Sequence, residues 1–326
     1  MPSITKRLFI AATTAVTLFG AVSTTAVAAI DELRLDWAFY NPVSLVLKDQ
    51  GLVEAEFAAD GITIRWVQSH GSNKALEFLS ADAIHFGSTA GAAALVGRIN
   101  GNPIKSVYVY SRPEWTALVT AADSGIESVA DLAGKSVAVT RGTDPHIFLM
   151  RALADAGLSD RDVRFVLLQH ADGRAALLRG DVDAWAGLDP MMASAELEDE
   201  ARLFFRKPEA NTWGILNVRE EFAAAHPDII ERVLAVYEVG RKWALEHPDE
   251  LAELLARDAR IPLEVARKQL EERTELTHNR IGAEQRASIL EAGLALQSAG
   301  VVDASVDVEA VLDSLLDPSF GKVLDN

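Results

Sequence analysis

The chain of 326 residues sets 48 acidic side chains against 31 basic ones, a formal charge of −17, and holds no cysteine. That balance argues against nucleic acid or anionic lipid as a partner. The missing thiols exclude disulfides, thiolate nucleophiles and thiolate metal sites together. With 49% apolar residues, stability has to come from core packing.

At the start, Lys6 and Arg7 precede a charge-free, mostly apolar or small run from Leu8 to Val22, and Ala26-Val27-Ala28 supplies a small-x-small cleavage pattern. This predicts a secretory signal over 1–28. Thr13, Thr14, Thr17, Ser23, Thr24 and Thr25 dilute the run, against the roughly 20 predominantly apolar residues of a membrane anchor. Cleavage after Ala28 leaves 298 residues and a charge of −19, a soluble chain long enough for about two domains.

From Leu33 onward, short apolar segments alternate with helical ones, the signature of βαβ units and a largely parallel sheet. Strands are expected near Leu33–Trp37, Ile62–Val67, Ile84–Phe86 and Ile104–Tyr110. Helices are expected from Pro42 to Gln50, behind Ser72-Asn73, and from Ser88-Thr89 to about Gly101. A second series places strands near Ala117–Thr120, Ser136–Val139, Val163–Leu168 and Val182–Trp185. Its helices fall at about Pro145–Ala156, Gly173–Arg179 and Pro190–Glu198. Beyond Val218 the chain reads as helical, punctuated by His226-Pro227, His247-Pro248 and Ile261-Pro262. The layout is an α/β chain of two lobes: 29–114 with 213–326, and 115–212. Two crossings join them, near Arg112–Trp115 and near Asn211–Gly214, a hinge that limits closure to roughly one axis.

In a parallel sheet the ligand crevice lies outside the carboxyl ends of the strands. Two matching junctions draw notice there, Gly87-Ser88-Thr89 in the first lobe and Gly142-Thr143-Asp144-Pro145-His146 in the second. Each presents a helix start whose free N–H groups and dipole suit an oxyanion. Ordinary helix capping explains the same residues. Tyr40 and Trp213 are candidates to line the cleft, with packing as the alternative. Asp189 either receives a cationic group or caps the helix that Pro190 opens, and His146 either donates to the anion or only begins its helix. No H-E-x-x-H, G-x-S-x-G, Walker or dinucleotide-binding pattern is present, so no catalytic residue, metal site or cofactor is expected.

Ala83-Ile84-His85-Phe86-Gly87-Ser88-Thr89, the run from Ser128 to Val139 with the Arg141–His146 turn, and Gly180-Asp181-Val182-Asp183-Ala184-Trp185 leading to Asp189-Pro190 occur in that order. In these segments the chain resembles the periplasmic substrate-binding proteins of ABC importers for aliphatic sulfonates and taurine, which are related to nitrate-binding proteins. The resemblance implies a type II periplasmic binding fold and an organic anion held at the Ser88-Thr89 and Gly142-Thr143-Asp144 turns. It also implies a permease and an ATPase as partners of a monomeric periplasmic protein. Asp144-Pro145 departs from the dipeptide common in that family. Nitrate, a sulfate ester, taurine or a pyrimidine-like or aromatic acid are alternative ligands. An enzyme of related fold and a sensor that presents ligand to a receptor are the alternative classes.

Overall fold

The structure, a computed structural model, describes residues 30–325; the expected signal segment lies outside them. Strand β1 (Glu32–Trp37) alternates so that Leu33 and Leu35 enter the core while Arg34 faces out. Helix α1 (Pro42–Gln50) starts where the Asn41 side chain accepts from the Ser44 N–H, and stops at Gly51, whose φ of 62° is left-handed. Then come α2 (Leu52–Phe57), β2 (Thr63–Gln68), α3 (Ser72–Ser80), β3 (Phe86–Ala90), α4 (Gly91–Ile99) and β4 (Ile104–Pro113).

The chain crosses at 114–117 into a second sheet, built from β5 (Leu118–Thr120), β6 (Ser136–Val139), β7 (Arg164–Leu167), β8 (Ala184–Ala186) and β9 (Arg202–Phe205). Helices α5 (Asp144–Asp155), α6 (His170–Leu178) and α7 (Met191–Glu198) connect its strands. Val137 and Val139 of β6 enter one apolar cluster with Phe148, and Ala138 enters another with Trp185, so this sheet is covered on both faces. Gly173 sets α6 close to the sheet: a Cβ there would stand 2.8 Å from the Trp185 ring.

The chain returns through β10 (Gly214–Arg219) to the first sheet. It continues in α8 (Glu220–Ala225), α9 (Pro227–Glu246), α10 (Pro248–Ala259), α11 (Leu263–Arg273), the short β11 (Thr274–Glu275), α12 (Ala283–Ser298) and α13 (Val308–Leu315). The first sheet has the order β11-β4-β10-β3-β1-β2 and the second β7-β6-β8-β5-β9.

Both sheets are mixed, where the sequence suggests a largely parallel arrangement. β1 pairs in parallel with β2 and β3, and β6 with β7 and β8, but β10 lies antiparallel between β3 and β4, and β5 antiparallel to β8 and β9. The antiparallel strands β5 and β10 are the ones that directly follow the two crossings. β9 and β10 are not foreseen from sequence. Helix α6 starts three residues before the expected Gly173, and Ser88 and Thr89 fall inside β3, not at a helix start.

Candidate binding site

A cavity of about 330 Å3 opens between the sheets. Its walls come from the carboxyl ends of four strands: Phe39 and Tyr40 after β1, Ser69 and His70 after β2, Gln169 and His170 after β7, and Leu188 to Met191 after β8. This is where open α/β sheets place their ligands. Phe39, Phe78, Leu188 and Met191 supply apolar wall, and the starts of α3 and α6 face the space from opposite lobes. The first N–H groups of each helix lack an intrahelical partner, and the helix dipole favours negative charge there. Gly71 caps α3 with φ 142°, a conformation open to glycine, and a Cβ on it would lie 3.1 Å from Nε2 of His170 across the cleft.

On this cavity Oε1 of Gln169 and both ring nitrogens of His170 have no hydrogen-bond partner within the described residues, and Oγ of Ser69, with no partner within 3.5 Å, neighbours the Asp36 carboxylate and the Tyr40 hydroxyl. Ser69 and His170 are each only 2% exposed. Burial pushes the His170 imidazole down to about 3, so the ring is neutral near pH 7. The charged groups on the wall are spent elsewhere or open to water. Lys74 pairs with Glu77 at 2.7 Å, and His70 is exposed.

The junctions singled out from sequence have another occupation. The Ser88 hydroxyl donates to Oδ1 of Asp36 (2.8 Å) and accepts from Nδ2 of Asn41 (2.7 Å), while the Ser88 N–H donates to the same carboxylate (2.9 Å). Asp36 is fully buried, and burial raises it to about 6 against those hydrogen bonds. Oγ1 of Thr89 accepts from Nδ2 of Asn217 (2.8 Å). Oγ1 of Thr143 donates to the Thr140 carbonyl (2.6 Å). Asp144 ties the hinge: its Oδ2 accepts from the Trp115 indole N–H (2.8 Å) and the Thr212 N–H (3.0 Å), and its Oδ1 from the Thr212 hydroxyl (2.7 Å). One carboxylate at the start of α5 thus grips both crossings. Burial raises its pKa, opposed by these donors.

Of the nine sequence candidates, Tyr40 and Asp189 reach the cavity. Tyr40 donates from its hydroxyl to the Ser88 carbonyl (3.1 Å) and stands edge-on to Trp115. Asp189 is bound on its own side of the wall, accepting from the Ala193 N–H (2.9 Å) and from Nη1 of Arg273 (3.1 Å). Arg273 also donates to Glu196 and, as the last residue of α11, joins the helical C-terminal part to the second lobe. Burial raises Asp189 to about 6 against the pull of Arg273. Because Asp189 already has its cation, the reading in which it meets a cationic ligand group loses its physical basis.

Thr143 and Asp144 line only a small gap of about 10 Å3, contiguous with the cavity through Tyr40 and Leu188, with room for about one water. Gly142 faces Asn73 in a separate outer groove. His146 lies edge-on to Phe165, lowered to about 4 by burial and Arg141. Trp213 packs on His278 and under Arg112.

Ser69, Gln169 and His170 are not among those candidates. The junction rule itself would have found them, since each follows a strand end. Starting α6 at Gly173 hides His170. No group of residues suited to a metal ion occurs among the described residues, and none of their helices is long and apolar enough to cross a membrane.

The NMT1/THI5 like family model matches residues 56–251. A relative from Escherichia coli (strain K12), provisionally named an aliphatic sulfonates-binding protein, is 30% identical over 82% of this chain and 84% of its own length. Among solved structures, the alkanesulfonate-binding protein from Xanthomonas axonopodis pv. citri bound to MOPS superimposes with a TM-score of 0.80 at 24% identity, covering 89% of this chain and 99% of that one. A desulfurization enzyme superimposes with a TM-score of 0.66 at 16% identity, over 90% of this chain and 99% of its own. The fold is that of periplasmic binding proteins, and it is shared by binders and by an enzyme.

Proposed function

This chain belongs to the NMT1/THI5-like family and to its aliphatic sulfonate-binding relatives, and from that premise we propose that it is the solute-binding component of an ABC importer, exported to the periplasm by its first 28 residues. It captures an aliphatic sulfonate or a similar small organic anion between its lobes and delivers it, as a monomer, to a permease with its own ATPase. The lobes are 29–114 with 213–326, and 115–212, and they turn about the two crossings. Ligand shifts the protein toward closure only by binding the closed form better than the open one.

The observation that carries this reading is the inter-lobe cavity, whose wall combines unpartnered neutral polar groups and two helix starts with apolar side chains. A sulfonate is ionised at any physiological pH, and its three oxygens accept from fixed neutral donors without a buried counter-ion. At about 330 Å3 the cavity sits at the lower end of the range for organic ligands and has space for a tail as well as a head. MOPS, the ligand of the similarly folded Xanthomonas protein, is itself a sulfonate carrying a ring. Binding without conversion is supported by the Escherichia coli relative, named as a binding protein, and by a sequence with no cysteine and scattered histidines.

Isothermal titration with straight-chain alkanesulfonates, taurine, sulfate esters, nitrate and carboxylates tests the proposal. The expected result is saturable one-to-one binding of an alkanesulfonate, with the ligand recovered unchanged. Silence from every sulfur oxyanion contradicts it, and product released by the protein alone contradicts the non-enzymatic part.

A further inference from the structure

His170 is the most anomalous polar group of the cavity. It opens α6 in the second lobe, is 2% exposed, lines the cavity, and has neither ring nitrogen bonded. Buried polar atoms nearly always find partners, because leaving one unpaired forfeits its hydration with nothing in return. The ring is held in place by close packing. α6 is pressed onto the sheet at Gly173, and Nε2 lies against Gly71, the residue that caps α3 in the opposite lobe. An imidazole so fixed stands on the cavity wall where the two lobes approach each other. Ser69, also 2% exposed, precedes the same cap from the first lobe, and its hydroxyl, with no partner within 3.5 Å, lies beside the Asp36 carboxylate and the Tyr40 hydroxyl, from which it can turn to a ligand oxygen.

We propose that His170 and Ser69 are the specificity-determining contacts for the anionic head: a ring N–H of neutral His170 from one lobe and the Ser69 hydroxyl from the other each donate to one oxygen. The free N–H groups that open α3 and α6 serve the remaining oxygen, and the tail runs along Phe39, Phe78 and Met191. This assignment deepens the proposed function and rests on it. Recognition is then made entirely of neutral donors, one from each side, so the head is complete only when the lobes have met. The same arrangement explains why a buried imidazole persists with no protein partner: its partner arrives with the solute.

The test pairs affinity with ligand-free stability. Hexanesulfonate is titrated into the full mature chain, wild type and the variants His170→Phe and Ser69→Ala, and each is melted without ligand. The expected outcome is a loss of affinity of about tenfold or more in each variant, the scale of a hydrogen bond to a charged group. The melting temperature of His170→Phe equals or exceeds that of wild type, since an unpaired polar ring gives way to an apolar one. If His170→Phe does not fold, Ser69→Ala, which removes one atom, still reports on the head. Wild type that binds with both variants unchanged overturns this inference alone. Wild type that binds no oxyanion overturns the proposed function and this inference with it.

Discussion

The junctions at β3 and β6 and the junctions that close β2 and β7 share one layout in sequence, a strand that leads into a helix with polar side chains at or near its end. In the first pair, the side-chain oxygens of Ser88, Thr89, Thr143 and Asp144 are all engaged by other parts of the protein, Asp144 by both crossings at once. In the second pair, Ser69, Gln169 and His170 keep polar atoms without partners beside the cavity. At the inner strands β3 and β6 the polar groups are consumed within the frame, Ser88 by Asp36 and Asn41, Thr89 by Asn217, Thr143 by Thr140, and Asp144 by the two crossings. The outer strands β2 and β7 deliver theirs to the open part of the cleft. Hydrogen-bond saturation separates the frame from the receptor, and residue type does not.

This contrast predicts that substitutions in the first pair move stability and those in the second move affinity. The largest effect is expected at the buried Asp189–Arg273 pair. Arg273→Met leaves Asp189 buried without its cation and should destabilise the protein by about 3–5 kcal/mol in denaturant melts. A change below 1 kcal/mol would mean that the pair does not hold α11 to the second lobe. Asp144→Ala removes the acceptor of three hinge donors and should cost about 2–3 kcal/mol of stability, more than it costs in ligand affinity. Ser88→Ala should cost about 1–2 kcal/mol, as Asn41 and Asp36 each lose a partner, with affinity nearly unchanged. A large affinity loss in Ser88→Ala at unchanged stability would return the head to the inner junctions.

The smallest expected effect is in pH. His85, His146 and His170 are lowered in the folded state to about 4, 4 and 3, so below 6.5 the unfolded chain binds more protons and their contribution to stability falls as pH falls. Asp36 and Asp189 are raised to about 6, so between about 6 and 3.8 the folded chain binds more protons and gains stability as pH falls. Three such histidines against two such carboxylates leave the unfolded chain about one proton ahead across this range, so the melting temperature should fall steadily as pH drops from 6.5 to 4.5. His170→Phe leaves two such histidines against two such carboxylates and should make the profile nearly flat. A profile steeper in the variant than in wild type would contradict the sign.

Much of this was legible in the residues. Apolar alternation marked β1 and β6, Pro42 and Gly51 bounded α1, and the family segments fixed the fold and its cleft. The return strand β10 was not, because Gly214–Arg219 becomes a strand only by inserting between β3 and β4, a long-range event that local pattern does not carry. β9 was hidden beside the charged run before it. Tyr40 and Asp189 were placed on the cavity by their position at strand ends, but that Asp189 is occupied by Arg273, more than 80 residues later, depends on how α11 packs on α7. His170 was hidden by a helix boundary placed three residues late, and its lack of partners is a property of the folded neighbourhood alone.

The measurement closest to the central claim is a crystal structure of the protein grown with hexanesulfonate. Sulfonate density is expected between the lobes, within hydrogen-bond distance of His170 and Ser69, with the alkyl chain lying on Phe39 and Phe78. A sulfonate seated on Ser88 and Thr143, or bound anywhere outside the inter-lobe cavity, would contradict it.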